Sequence, residues 1–105
     1  MACLGVHRNR NPASQKAYPL LLDVQSDLLE PLSTRVVIPL SPVAGTTRPP
    51  IRTLMPVLRI EGREYIAQTP QLAGIALKDL GPKIADASAH RDVVLAALDL
   101  LFNGF

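Results

Sequence analysis

The chain has 105 residues, 48% of them apolar and 19% charged, with eleven Lys and Arg against nine Asp and Glu. That fits one small globular domain burying roughly 65% of its unfolded surface, and it excludes a disordered chain or a second core. The one Cys excludes an intrachain disulfide and any multi-thiolate metal site, and two His leave little for a large multi-residue active site.

Charge is uneven. Residues 1–22 carry Arg8, Arg10 and Lys16 and no acid, whereas the rest of the chain is close to neutral. There is no long basic run, no Trp, and only four Phe and Tyr. Nucleic-acid recognition is therefore not the expected main function, and the chain alone is not expected to bind DNA sequence-specifically. The start lacks a basic region followed by an apolar run, so no secretory signal is expected. No apolar stretch approaches the roughly 20 residues that span a bilayer. The expected location is the cytoplasm, without membrane association.

In chain order, residues 3–7 form a short apolar stretch with strand character. Residues 8–16 (RNRNPASQK) read as a loop or hairpin arm, because Asn-Pro sits inside a polar run. Residues 18–25 (YPLLLDVQ) predict a strand buried on much of both faces, with Pro19 at its start or at an edge. Residues 26–33 predict a turn or irregular segment. Residues 34–40 (TRVVIPL) are a β-branched strand run, in which Pro39 argues for an exit or an edge. Residues 41–50 hold three Pro and one Gly and read as loop. Residues 56–60 and 63–68 flank Glu61-Gly62 as a hairpin, with Gly62 supplying positive φ. Residues 72–77 predict one more strand, broken by Gly81-Pro82.

Residues 93–102 (VVLAALDLLF) predict a helix, since Ala and Leu dominate and only Asp99 is polar. Asp86 or Ser88 is the expected N-cap and Gly104 the expected C-terminal stop. A helix so apolar buries one face on the sheet. The other face is expected to bury in a partner, most simply a second copy.

A search for chemistry returns little. Cys3 with His7 would make a nucleophile–base pair, but a small buried thiol beside a surface His is the plainer reading. His7 and His90 lack metal-ligand spacing. Asp23 and Asp27 suit turn hydrogen bonding better than acid–base work. The five glycines from Gly45 onward form no phosphate loop. No catalytic residue, metal or cofactor is expected, and the residues favour a binding protein.

The run YPLLLDVQSDLLEPLSTRVVIPL, residues 18–40, is similar to the CcdB family of bacterial toxins, most clearly in DVQSDLL and RVVIPL. The end, an apolar helix followed by Gly104 and Phe105, also resembles the family. The resemblance covers essentially the whole chain and is weakest over residues 41–53. It implies a mainly β fold with a C-terminal α-helix: an SH3-like, strongly bent antiparallel sheet or partial barrel with a small accessory sheet, of the CcdB/MazF type, in one domain over residues 1–105. It also implies a homodimer, formed here through the C-terminal helix region.

The implied function is a toxin that binds the A subunit of DNA gyrase and traps the gyrase–DNA cleavage complex without performing chemistry. A CcdA-like antitoxin neutralises it. The family's C-terminal triplet falls on Asn103, Gly104 and Phe105. The apolar pair after DVQSD falls on Leu28 and Leu29, the following acid on Glu30, and the polar helix position on Asp99. These seven are the expected gyrase-binding residues. Arg8, Arg10 and Lys16 are the expected contacts for an acidic antitoxin segment.

Plainer readings stand beside these. Leu28 and Leu29 could be core, Gly104 and Phe105 a frayed end, Asp99 a solvated helix residue, and the three cations solubilising charge. One departure matters. The best-known family member has Trp where this chain has Asn103, and Trp stacks there on a gyrase arginine. A weakly toxic or non-toxic binding or regulatory relative is thus one alternative. A MazF-like endoribonuclease is the other; it would need a basic cleft with acid–base groups at an RNA phosphate.

Overall fold

The computed structural model describes residues 4–25, 33–44 and 51–104. Seven strands build one antiparallel sheet: β1 (Gly5–Asn9), β2 (Leu20–Asp23), β3 (Thr34–Pro42), β4 (Val57–Ile60), β5 (Arg63–Ala67), β6 (Ala73–Ala76) and β7 (Leu80–Asp86). A single helix, α1 (Arg91–Asn103), closes the described chain. Spatial order is β4-β5-β3-β2-β1-β7, with β6 also on β3. The sheet curls into a half-barrel, as the mainly β expectation requires. No helix among the described residues is long and apolar enough to cross a membrane.

Strand register explains the core. Val6 lies opposite Leu22, and Leu22 opposite Ile38. One row over, Leu20 faces Leu40, and Leu40 faces Ala67. Both rows are buried and join Leu58, Ile60, Ala87 and Val94 in one cluster. Each large aliphatic side chain so buried contributes about 1.5–3 kcal/mol. Leu21, between Leu20 and Leu22, is buried on the opposite face, so β2 is covered on both sides.

Pro39 lies in the middle of a central strand, neither at an exit nor at an edge. On one side residues 37–40 of β3 pair with β2. On the other, residues 34–37 pair with β6 and residues 40–42 with β5. The Pro39 carbonyl accepts from Gln68 N at 2.9 Å on that second side. Its missing N–H points the same way, into the gap where β3 changes partner, so no ladder bond is lost. The strand also runs two residues past Leu40, to Pro42, into what residue type suggested was loop. Residues 45–50 of that loop lie outside the described residues.

Gly81-Pro82 does not break the chain; it lies within β7, a strand that composition conceals. β7 is an edge strand, and its register on β1 shifts between Val6 and His7 and again between His7 and Asn9. An irregular edge is where a strand tolerates proline. A Cβ on Gly81 would stand 2.6 Å from the Arg8 carbonyl oxygen, so glycine permits the two backbones to approach. In the β4–β5 turn, Glu61 (φ 51°) joins Gly62 (φ 81°) in the left-handed region, the two-residue turn that matches strand twist.

The first two residues of the expected 8–16 arm, Arg8 and Asn9, belong to β1, and the Asn9 side chain closes the rest. Its Nδ2 donates to Ser14 Oγ (3.0 Å) and Tyr18 O (2.9 Å), and its Oδ1 accepts from Asn11 N. Helix α1 begins earlier than the apolar run suggests. His90 is its N-cap residue, with no side-chain cap bond. Neither Asp86 nor Ser88 caps it: a turn of 3-10 helix (Ser88–His90) intervenes, and Asp86 Oδ1 accepts from Ser88 N at its start. Gly104 ends α1 as expected, with φ 75° and its N–H on Leu100 O at 3.0 Å.

Candidate functional site

The two sides of α1 differ. Val94 and Ala97 are buried against the core, and the turn Thr69–Gln71 lies against the helix. The outward side carries Asp92, Leu95, Ala96, Asp99, Phe102 and Asn103, all exposed. Asp99 and Asn103 are four residues apart, so they stack one turn above the other on that side. Phe102 beside them is 66% exposed, an unusual state for a large aromatic, and Val93 (46%) and Leu95 (42%) extend the apolar surface. Gly104 turns the chain away just beyond. Phe105 lies outside the described residues.

Leu28, Leu29 and Glu30 also lie outside them, within residues 26–32, as do Asp27 and Cys3. The residues that flank that segment pair with one another. Asp23 and Arg35 are both buried. Arg35 donates Nε (3.0 Å) and Nη2 (2.6 Å) to Asp23 Oδ2, while Asp23 Oδ1 accepts from Gln25 N at 3.0 Å. Gln25 Oε1 in turn accepts from Val36 N at 3.1 Å. Asp23 does make the turn bond that residue type suggested. The ion pair with Arg35 was not foreseen; the signal available was an Arg two residues into a β-branched strand, which neighbours must neutralise if it is buried.

Arg8, Arg10 and Lys16 are exposed. Arg8 and Lys16 line the same hollow, of about 540 Å³, while Arg10 does not. The two histidines do not meet. His7 donates Nδ1–H to the Gly81 carbonyl at 3.0 Å, and His90 Nε2 faces the Arg59 carbonyl at 3.4 Å. Among the described residues no three of His, Cys, Asp and Glu converge. The arrangement presents surfaces: a helix end with an exposed aromatic, and a cationic edge.

The family model described as CcdB protein matches residues 4–104, nearly the whole chain. The chain belongs to the CcdB family, toxins of the CcdA/CcdB type.

Proposed function

We propose that this protein binds the A subunit of DNA gyrase as a homodimer and traps the gyrase–DNA cleavage complex, and that a CcdA-like antitoxin neutralises it. The carrying observation is the end of α1, where exposed Phe102 adjoins Asp99, Asn103 and the left-handed Gly104. Leu28, Leu29, Glu30 and Phe105 complete the gyrase-contacting set by family resemblance. The outward apolar side chains Val93 and Leu95 are the surface that a second copy covers. The whole chain acts as one domain in the bacterial cytoplasm.

The mechanism is differential binding with no chemical step. A ligand shifts an equilibrium only by the difference in its affinity for the two states. A toxin that binds the cleaved, covalent state of gyrase more tightly than the resealed state raises the population of breaks, and no catalytic group is required. Arg8, Arg10 and Lys16 supply the cationic edge for an antitoxin segment that folds on binding.

The test is a gyrase cleavage assay with linear DNA as readout. The full chain is expected to accumulate linear DNA, and a chain ending at Phe102 is expected to lose trapping while keeping its dimeric state. Trapping by the truncated chain would overturn the site assignment. RNA cleavage in the absence of gyrase would overturn the function.

A further inference from the structure

Asn103 and Gly104 form the tip of α1, and glycine is the neighbour that least hinders an asparagine side chain from reaching the next backbone nitrogen. Asn103 is exposed, and among the described residues its amide makes no hydrogen bond. A Cβ built on Gly104 would meet nothing within 4 Å, so no neighbour crowds the backbone there. The other two asparagines of the chain are placed differently. Asn9 is buried; its Nδ2 donates to Ser14 Oγ and Tyr18 O, and its Oδ1 accepts from Asn11 N. Asn11 Oδ1 accepts from Ala13 N at 2.9 Å, and Pro12 follows it with no N–H. Only at Asn103 does an unheld side-chain amide adjoin an uncrowded backbone N–H. One bond restrains that nitrogen: Gly104 N–H donates to Leu100 O at 3.0 Å. It is the last bond of α1, and the end of a helix opens at little cost in free energy.

We propose that Asn103-Gly104 is a self-modification site, at which the chain converts its own helix tip from an amide to a carboxylate. When the last turn opens, Gly104 N attacks Asn103 Cγ. The N–Cγ bond forms, the Cγ–Nδ2 bond breaks, and the Gly104 N–H proton leaves with Nδ2 as ammonia. Water then opens the resulting succinimide ring. Attack at Cγ gives aspartate. Attack at the main-chain carbonyl carbon gives isoaspartate, in which the peptide runs through Cγ. Water is the only co-reactant.

Both products alter the tip. The new carboxylate lies one turn from Asp99 at the negative end of the helix dipole, and α1 has no basic residue in its last turn to offset it. Isoaspartate also adds a methylene to the main chain, which draws Gly104 N away from Leu100 O and removes the helix stop. The chemistry is independent of the proposed function. Its effect on trapping rests on that reading, because Asn103 and Gly104 belong to the proposed gyrase contact.

The test ages the full chain in neutral buffer and follows it by peptide mapping with mass spectrometry. Conversion is expected at Asn103, as two separable products of equal mass, with Asn9 and Asn11 unchanged. Asn103→Gln is expected to lose the conversion over the same period, because its longer side chain puts the carbonyl out of reach of a five-membered ring. The period is set by the same chain unfolded in guanidinium, where all three asparagines are free of tertiary structure. Conversion of Asn9 or Asn11 as fast as Asn103 in the folded chain overturns the proposal. So does an unchanged Asn103 after the unfolded chain has converted. On the gyrase reading, the aged wild-type chain loses trapping, while aged Asn103→Gln keeps whatever level it starts from; equal losses in both overturn the effect on the toxin. A fresh chain that never traps gyrase sinks the gyrase reading alone, and the mapping still decides this site.

Discussion

Arg35 places two of its nitrogens on a single oxygen of Asp23, at 3.0 and 2.6 Å, and the other oxygen accepts a backbone N–H at the next turn. The side chains are only 8% and 6% exposed. The pair thus joins the end of β2 to the start of β3, across the segment that holds Leu28, Leu29 and Glu30. Breaking such a pair leaves an uncompensated buried charge, which costs about 3–5 kcal/mol, whereas replacing both partners with apolar residues is far cheaper. Arg35→Leu is expected to lower stability by about 3 kcal/mol in urea denaturation, and Arg35→Leu with Asp23→Leu by clearly less. A single-variant loss below about 1 kcal/mol would show that water reaches the pair.

By the family resemblance, Asn103 stands where a Trp would stack on a gyrase arginine. An aromatic ring over an arginine gains about 1–2 kcal/mol when desolvated, which Asn cannot supply. On the proposed function, Asn103→Trp is expected to lower the concentration needed for half-maximal gyrase trapping by about fivefold or more. The position is exposed at the helix end, so folding is expected to be unaffected. No gain in trapping would place the gyrase contact elsewhere.

Thr69 is fully buried and its hydroxyl has no hydrogen-bond partner. A buried hydroxyl without a partner costs about 1–3 kcal/mol. Replacing it with a methyl keeps the shape and removes the penalty. Thr69→Val is expected to stabilise the fold by about 1 kcal/mol in thermal or chemical denaturation. Destabilisation would mean that the hydroxyl finds a partner in solution.

Asp86 gives one pH dependence. The Ser88 hydroxyl and then the Ser88 backbone N–H, both donating to its carboxylate, hold it below the ordinary Asp value of 3.8, with a smaller contribution from Lys83 at 3.7 Å. The folded value is depressed, so the contribution to stability is present above 3.8 and is lost as pH falls through the folded value. A carboxylate NMR titration is expected to place Asp86 below 3.8, and Ser88→Ala to move it back towards that value. A midpoint unchanged in Ser88→Ala would remove the hydroxyl as the leading cause.

The helix, the β4–β5 hairpin and the buried β2 were all legible along the chain. Each rests on local chemistry: Ala-Leu content, a Gly after an acid in a tight turn, and an uninterrupted Leu run. Family membership was legible for a similar reason, since DVQSDLL and RVVIPL are contiguous. The misreadings share one cause. Residue type alone puts Pro39 at an exit or an edge and makes Gly81-Pro82 a break, whereas a proline's cost depends on which way its missing N–H points, and only strand order decides that. Pro39 faces the gap between β5 and β6, and Pro82 lies on an irregular edge.

The same holds for charge. By sequence alone the chain is a nearly neutral protein with a basic start. Arg35 and Arg59 look alike on that level. Folding buries one on Asp23 and leaves the other unpaired on a groove, because residues 12 positions apart in one case, and 51 in the other, meet only when the sheet curls. The amino-acid sequence by itself determined the family, the mainly β class and the helix that ends it. The tertiary structure alone decided which cations are buried in ion pairs and which stay exposed, since pairing depends on distance in space and on burial.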